Sequence, residues 1–442
     1  MSIAGGQTQS KSGGSGRIFY GYWIVAALVI INFIPVTFFM SCNATFMPAV
    51  ADALEESPGV IGYVLSVFSL GNTLLFPIFG RLFAKYDSRI LCTIGIVVLA
   101  LAFVCQSLVT EAWQFIACGV LLAIGIVPLF FMAPATLINR WFTKRAGFFI
   151  GVVLASTGVG GVLWNMVSEA LIIDIGFRMT YRLFAIVTLV VGLPLTLFVL
   201  RDSPADKGLV PYGSEEMSAK GQNGLPSESE AVRMAATQNK DGMSAHDAYR
   251  TSTFKLLLGY AFFLNLGMFV CAMTPSYVRT LDFAAALPLL GATCVSCIMG
   301  AQTVAKVLWG AIADKRPIVA VVAGILMGIA GVLCLAFFND APWKLYGGTI
   351  IFGFFYALST VTAPILTRYY FGMRDYSIIF SKISMACTMG TFSGSLIWGT
   401  TINMTGSFKP MLFGVVCMLT IALVCILLVN RSAKGKSFKK ND

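Results

Sequence analysis

Acidic side chains are scarce in this chain. Of its 442 residues only 20 are Asp or Glu, and within its long apolar runs a single one is found, Glu169. The one histidine, His246, lies in a polar stretch, so no triad or metal cluster built on histidine can be assembled among the apolar runs. Paired carboxylates and a nucleophile motif at one depth are missing as well, which argues against an enzyme, and no metal or cofactor is expected. Charged residues make up 12% of the sequence, against roughly 25% in soluble domains, while 57% are hydrophobic. That balance excludes an ordinary water-soluble globule. The first 16 residues, MSIAGGQTQSKSGGSG, lack the compact charged-then-apolar pattern of a secretory signal, so the first apolar run is expected to be retained.

Apolar sequence fills the chain instead, in runs long enough for a helix to cross a hydrocarbon core of roughly 30 Å. Twelve runs are read, at about 22–48, 59–83, 90–109, 113–138, 147–172, 180–200, 255–280, 285–312, 317–338, 345–367, 377–402 and 409–430. They fall six and six about a stretch containing KGQNGLPSESEAVRMAATQNKDG, which cannot bury enough apolar surface to fold alone. The expected organisation is a disordered tail over 1–17, a six-helix half over 18–200, a cytoplasmic central loop over 201–252, a second six-helix half over 253–430 and a basic tail over 431–442. The fold class is all-α integral membrane, with twelve transmembrane helices in two halves.

Lysine and arginine set the orientation. Alternate loops carry Arg81, Lys85 and Arg89, then Arg140, Lys144 and Arg145, then Lys315 and Arg316, then Arg368 and Arg374; the opposite loops hold few. The positive-inside rule puts both termini and the central loop in the cytoplasm, in a multi-pass protein of the plasma (cytoplasmic or inner) membrane. The net charge of +11 is then topological, so the bilayer and no nucleic acid is the expected partner, and a monomer is the expected form. The 11 cysteines lie almost all within spans, and the Cys294/Cys297 pair reads as small hydrophobes.

Two loops of the same side look alike, GRLFAKYDSR at 80–89 after the second run and GAIADKR at 310–316 after the eighth. Equivalent positions in two six-helix halves suggest a duplicated carrier whose halves rock about a central site. On these motifs the chain resembles the major facilitator superfamily. The resemblance implies gating roles for Gly80, Lys85 and Arg89 in the first copy and for Gly310, Asp314 and Lys315 in the second. The first copy has Ala84 where the acid would stand, so its latch should be weaker. FYGYWIVAALVI, NRWFTKRAGFFIGVVLASTGVGG at 139–161 and lysines in the eighth and eleventh runs further resemble the monocarboxylate transporters and oxalate/formate antiporters.

Lys306 and Lys382 are the two interior cations. Lys306 precedes Asp314 by eight residues and Lys382 follows Asp375 by seven, which puts them about 12 and 10 Å from the cytoplasmic edge. With no acid at that depth, the simplest counter-ion is an anionic substrate; the alternative is that each stem snorkels to the headgroups. The resemblance implies that Lys306 stands for an arginine and Lys382 for a lysine that ligate carboxylate, that Phe352 and Tyr356 wall the cavity, and that Gln302 replaces the aspartate of proton-coupled relatives. Helical spacing adds Gln302 beside Lys306, and Ser381 and Ser384 beside Lys382. Arg279 with Tyr277 is read at an outer mouth, where Glu169 could pair with Arg279, Arg178 or Arg182. The expected function is secondary transport of small mono- or dicarboxylates by alternating access, as antiport. Proton-coupled monocarboxylate symport and export of neutral or cationic compounds are the alternatives.

Overall fold

Inside a bilayer the backbone must satisfy its own hydrogen bonds, which helices do internally. The computed structural model describes residues 19–56, 63–212, 242–283, 287 and 290–433. The spanning helices are α1 (Tyr20–Met40, continued by Asn43–Ala53), α2 (Tyr63–Lys85), α3 (Ser88–Leu108) and α4 (Ala112–Trp141). Next, Ala146–Val199 supplies both α5 (146–175) and α6 (177–199). The second half holds α7 (Ser252–Val278), α8 (Leu290–Lys315), α9 (Pro317–Phe337), α10 (Pro342–Phe371), α11 (Tyr376–Thr405) and α12 (Lys409–Ala433). Ten described stretches are apolar and long enough to span; one of them covers two crossings, and the remaining helix, α11, is diluted by Ser381, Lys382, Ser384 and other polar residues.

Breaks within the helices follow from residue type. Pro35 lies in a π-turn of α1 and Pro128 in one of α4, because proline removes one amide and its ring displaces the preceding turn. Between α5 and α6 the only non-helical residue is Gly176, at φ 78° and ψ 158°, so the chain reverses without a loop. This conformation is essentially confined to glycine, and nothing lies within 4 Å of where a Cβ would stand. Gly176→Ala is therefore expected to cost about 1–3 kcal/mol of backbone strain alone. A thermal melt in detergent should show a transition a few degrees lower, with transport otherwise intact.

Large apolar side chains point outward as well as inward: Leu74, Ile173, Phe198 and Met404 are all more than half exposed. On a membrane protein that surface faces lipid. The expected central loop is ordered at both ends. Tyr212 pairs with the α4–α5 loop, and the short helix Ala245–Arg250 leads into α7. The expected N-terminal tail, the middle of the central stretch (213–241) and the last residues of the basic tail (434–442) lie outside the described residues.

Candidate functional site

Two helix pairs join the halves, α5 with α8 and α2 with α11, and small residues let their backbones touch. A Cβ at Gly147 would stand 2.6 Å from the Gly310 carbonyl, and one at Gly310 would run into the Gly147 carbonyl. Further along the same seam Gly151 faces the Lys306 carbonyl and Gly158 the Thr303 hydroxyl. On the other seam Gly80 meets Ser381 and the Ser377 carbonyl, and higher up Thr73 donates to the Thr388 hydroxyl at 2.9 Å.

Charged groups close the end of these seams that carries the basic loops. The Asp314 carboxylate at the end of α8 accepts from the Gly147 and Phe148 amides, at 2.7 and 2.9 Å, and so caps α5 of the opposite half. A helix N-terminus has unpaired amides and a positive dipole end, so an anion there is doubly favoured. Arg368, at the end of α10, reaches the same α4–α5 loop, bonding the Asn139 side chain at 2.8 Å and the Phe142 and Thr143 carbonyls at 2.9 and 3.3 Å. Within the first half Arg140 pairs with Asp202 and bonds the Phe83 carbonyl. Among the described residues the α2–α3 copy of the motif makes no equivalent cross-half cap. Asp87 instead caps its own α3 through the Arg89 amide, and Asp375, heading α11, takes the Ala245 amide at 2.7 Å. Lys85 and Lys315 are exposed at the bundle end, and Arg89 is half-buried there.

Lys306 lies within the α5–α8 seam. It is 4% exposed, and its Nζ donates to the Leu154 carbonyl of the other half at 3.2 Å. An ammonium has three N–H donors, and that carbonyl uses one. Among the described residues no carboxylate stands within ion-pair distance. Leu154 also lines a central cavity between α2, α4, α5, α10 and α11. Its walls are chiefly Phe76, Phe130, Phe131 and Phe380, with hydroxyls from Ser359, Thr360, Ser384 and Thr388. The cavity volume is about 40 Å³, room for a few waters. With the Asp314 end clamped, the halves are drawn too close at this level for an organic molecule.

Several sequence expectations are corrected by this geometry. Lys382 does not share a face with that cavity: on α11 the cavity-lining residues are Phe380, Ser384, Cys387 and Thr388, and at 3.6 residues per turn Lys382 points roughly the opposite way. It is half-buried, on the same side of the helix as the exposed Met389 two turns away. Phe352 is fully buried against α9, where a Cβ at Gly331 would come within 2.7 Å of its amide, so it does not wall the cavity; the Tyr356 ring lies tilted beside it at 6.3 Å between ring centroids. Gln302 is buried, but its amide donates to Met299 Sδ at 2.7 Å. Ser381 packs on Gly80 and bonds the Ile378 carbonyl, whereas Ser384 does line the cavity. Tyr277 is buried, its hydroxyl bonded to the Leu335 carbonyl and to Asn339, and so is not at an open mouth. Arg279 and Glu169 are exposed, and among the described residues Glu169 pairs with none of Arg279, Arg178 and Arg182.

Arg368 and the cavity phenylalanines were not singled out from the sequence. For Arg368 a signal existed: NRWFTKR and TRYYFGMR end the fourth helix of each half, so Arg140 and Arg368 are equivalent by repeat. Phenylalanine carries no such mark, since 35 are spread along the chain.

A family model described as Major Facilitator Superfamily matches residues 29–374. The MFS-type transporter pynF of Aspergillus niger is 26% identical over 396 residues, covering 86% of this chain and 81% of that protein. The fujikurins efflux protein of Gibberella fujikuroi is 27% identical over 47% of this chain and 37% of its own length. Among solved structures, the proton:xylose symporter XylE bound to 6-bromo-6-deoxy-D-glucose superposes with a TM-score of 0.74 at 11% identity, over 95% of this chain and 97% of that one. The transporter FucP in its outward conformation gives 0.68 at 13%, over 93% and 99%.

Proposed function

From the premise that this chain belongs to the Major Facilitator Superfamily, and so is a multi-pass membrane transporter, we propose that it carries an organic monoanion by alternating access, exchanging one carboxylate for another. The observation that carries this reading is Lys306: a buried cation in the seam between the halves, bonded to the cavity-lining Leu154, with no acid within ion-pair distance among the described residues. A charge held at that depth costs at least about 2.5–3.5 kcal/mol, so it is retained for a purpose, and a transient anion fits. One cation near the cavity matches one negative charge. The phenylalanine walls favour an apolar body on that anion over formate or oxalate, whose whole surface is polar. Substrate hydroxyls or carboxylate oxygens would meet Ser359, Thr360, Ser384 and Thr388.

In the cell the clamped end is cytoplasmic by the distribution of Lys and Arg, so the protein is read as closed inward. The efflux name of the Gibberella relative favours export as the direction. A second reading, export of neutral or cationic compounds, also draws on that name and on the apolar walls; an unpaired ammonium beside the cavity weighs against cations. Proton symport would need a carrier group; Gln302 supplies none, so the Lys306 amine would have to carry the proton.

The test is uptake into proteoliposomes of labelled aromatic and aliphatic monocarboxylates, dicarboxylates and a lipophilic cation, with and without carboxylate inside. Monocarboxylates with apolar bodies are expected to enter, and internal carboxylate should stimulate them severalfold. Entry of the cation alone would overturn the proposal.

A further inference from the structure

We infer that the first half holds an anionic phospholipid at the bundle end opposite Asp314, with its phosphodiester on Arg178 and Arg182 and one acyl chain in a groove between α3 and α4. The groove has a volume of about 340 Å³ and is walled by Leu108 and Val109 at the end of α3 and by Trp113, Ala117 and Leu121 along α4. From Trp113 to Leu121 it follows the helix for about 12 Å, the direction an acyl chain takes in a bilayer. Leu108 and Trp113 are both more than half exposed, so the groove opens on the surface that faces lipid.

Two guanidiniums reach the same end of α3 from α6, where they lie one turn apart. Arg178 donates to the carbonyl of Val109, a groove residue, at 3.0 Å, and Arg182 reaches the Ser107 hydroxyl at 3.4 Å and Met179 Sδ at 3.5 Å. Both are exposed, and among the described residues neither is in an ion pair with a carboxylate; Glu111 is engaged by the Trp113 indole at 2.6 Å instead. A guanidinium carries five N–H donors in a flat fork, so most remain for a ligand, and that fork matches the oxygens of a phosphate. A choline head brings its own cation to the same phosphate and competes with the arginines, which favours a head without one.

The second half shows what the fold alone needs at this corner. Trp113 repeats as Trp343 at the head of α10, and Phe177 with Arg178 repeats as Phe408 with Lys409 at the head of α12, so Ser107 and Arg182 correspond to Phe337 and Phe413. Those two rings pack edge to face at 5.8 Å on the lipid side, and Lys344, next to Trp343, is paired with Asp340 at 2.7 Å. An apolar pair therefore closes the corner without a guanidinium. Arg182 answers to something outside the fold.

Quenching of Trp113 by brominated acyl chains tests the site, because bromine quenches an indole only near contact. Vesicles of phosphatidylcholine containing a minor share of brominated phosphatidylglycerol are compared with vesicles in which the same share is brominated phosphatidylcholine, and Trp113→Phe gives the background from the other tryptophans. The native protein is expected to favour the anionic lipid at Trp113 by about tenfold, as two arginines beside an anionic head should. Arg178→Gln combined with Arg182→Gln should abolish the preference, the corresponding pair of lysine substitutions should keep most of it, and Ala117→Phe, which fills the groove, should reduce it severalfold. Equal quenching by the two lipids in the native protein would leave only ordinary boundary lipid and overturn the site, as would a preference that survives both the glutamine pair and Ala117→Phe. Relief of the quenching by added sterol would give the groove to sterol and overturn the phospholipid. Should the glutamine pair fail to fold, the native comparison and Ala117→Phe decide by themselves.

Discussion

Replacing Lys306 with glutamine is expected to lower carboxylate transport by about a hundredfold or more, while Lys382→Gln stays within about twofold of native. Truncating one partner of a buried, hydrogen-bonded charge pair typically costs about 2–5 kcal/mol, and each 1.4 kcal/mol is a factor of ten. Glutamine keeps a donor and much of the volume, so the seam with Gly151 can still pack and the loss reports the charge. Lys382 offers the contrast. It is half-buried on the side of α11 turned away from the cavity, where its stem can carry the ammonium to the headgroups. Initial rates of uptake in proteoliposomes decide the matter. Equal activity in both variants would remove the cation from the mechanism; loss in Lys382→Gln alone would make that lysine the ligand and Lys306 merely structural.

Asp314→Asn should unfasten the closed end. The carboxylate accepts two amide hydrogen bonds at the head of α5, each charge-assisted and each worth about 1.5–3 kcal/mol. Asparagine can still accept a bond through its single carbonyl oxygen but brings no charge to the helix terminus. A net loss of about 2–3 kcal/mol shifts the closed-to-open ratio by roughly 30- to 150-fold. Deuterium uptake at Gly147 and Phe148 should rise accordingly, and transport should slow because the carrier lingers open at one end. Unlike Lys306→Gln, this variant should still bind substrate, so the two are separated by a binding measurement such as ligand-induced thermal stabilisation.

Much of this was legible in one dimension. Twelve apolar runs, six and six, with basic loops on one side, follow from hydropathy and charge alone, because a bilayer imposes length and polarity on every segment that crosses it. The repeat of GRLFAKYDSR and GAIADKR pointed to Asp314, and the structure places its carboxylate on the opposite half. Gly151 and Gly158 both lie against α8, a contact between halves that only the packing shows. The runs ending at 172 and starting at 180 left a connection at 173–179, but that it narrows to the single residue Gly176 was not anticipated, since DIGFR reads equally well as a short loop.

The sequence by itself determined how deep each charge lies, since rise per residue converts spacing into depth, and it established that no acid shares the level of Lys306 and Lys382. It could not determine the direction in which each side chain points. Helical periodicity relates one residue's angle to its neighbour's, but which face of α8 meets α5, and which face of α11 meets the cavity, depends on how all twelve helices pack. Only that packing separated two lysines of equal depth, turning Lys306 into the seam against Leu154 and Lys382 away from the cavity, because a contact between halves is a property of two surfaces and a sequence describes one at a time.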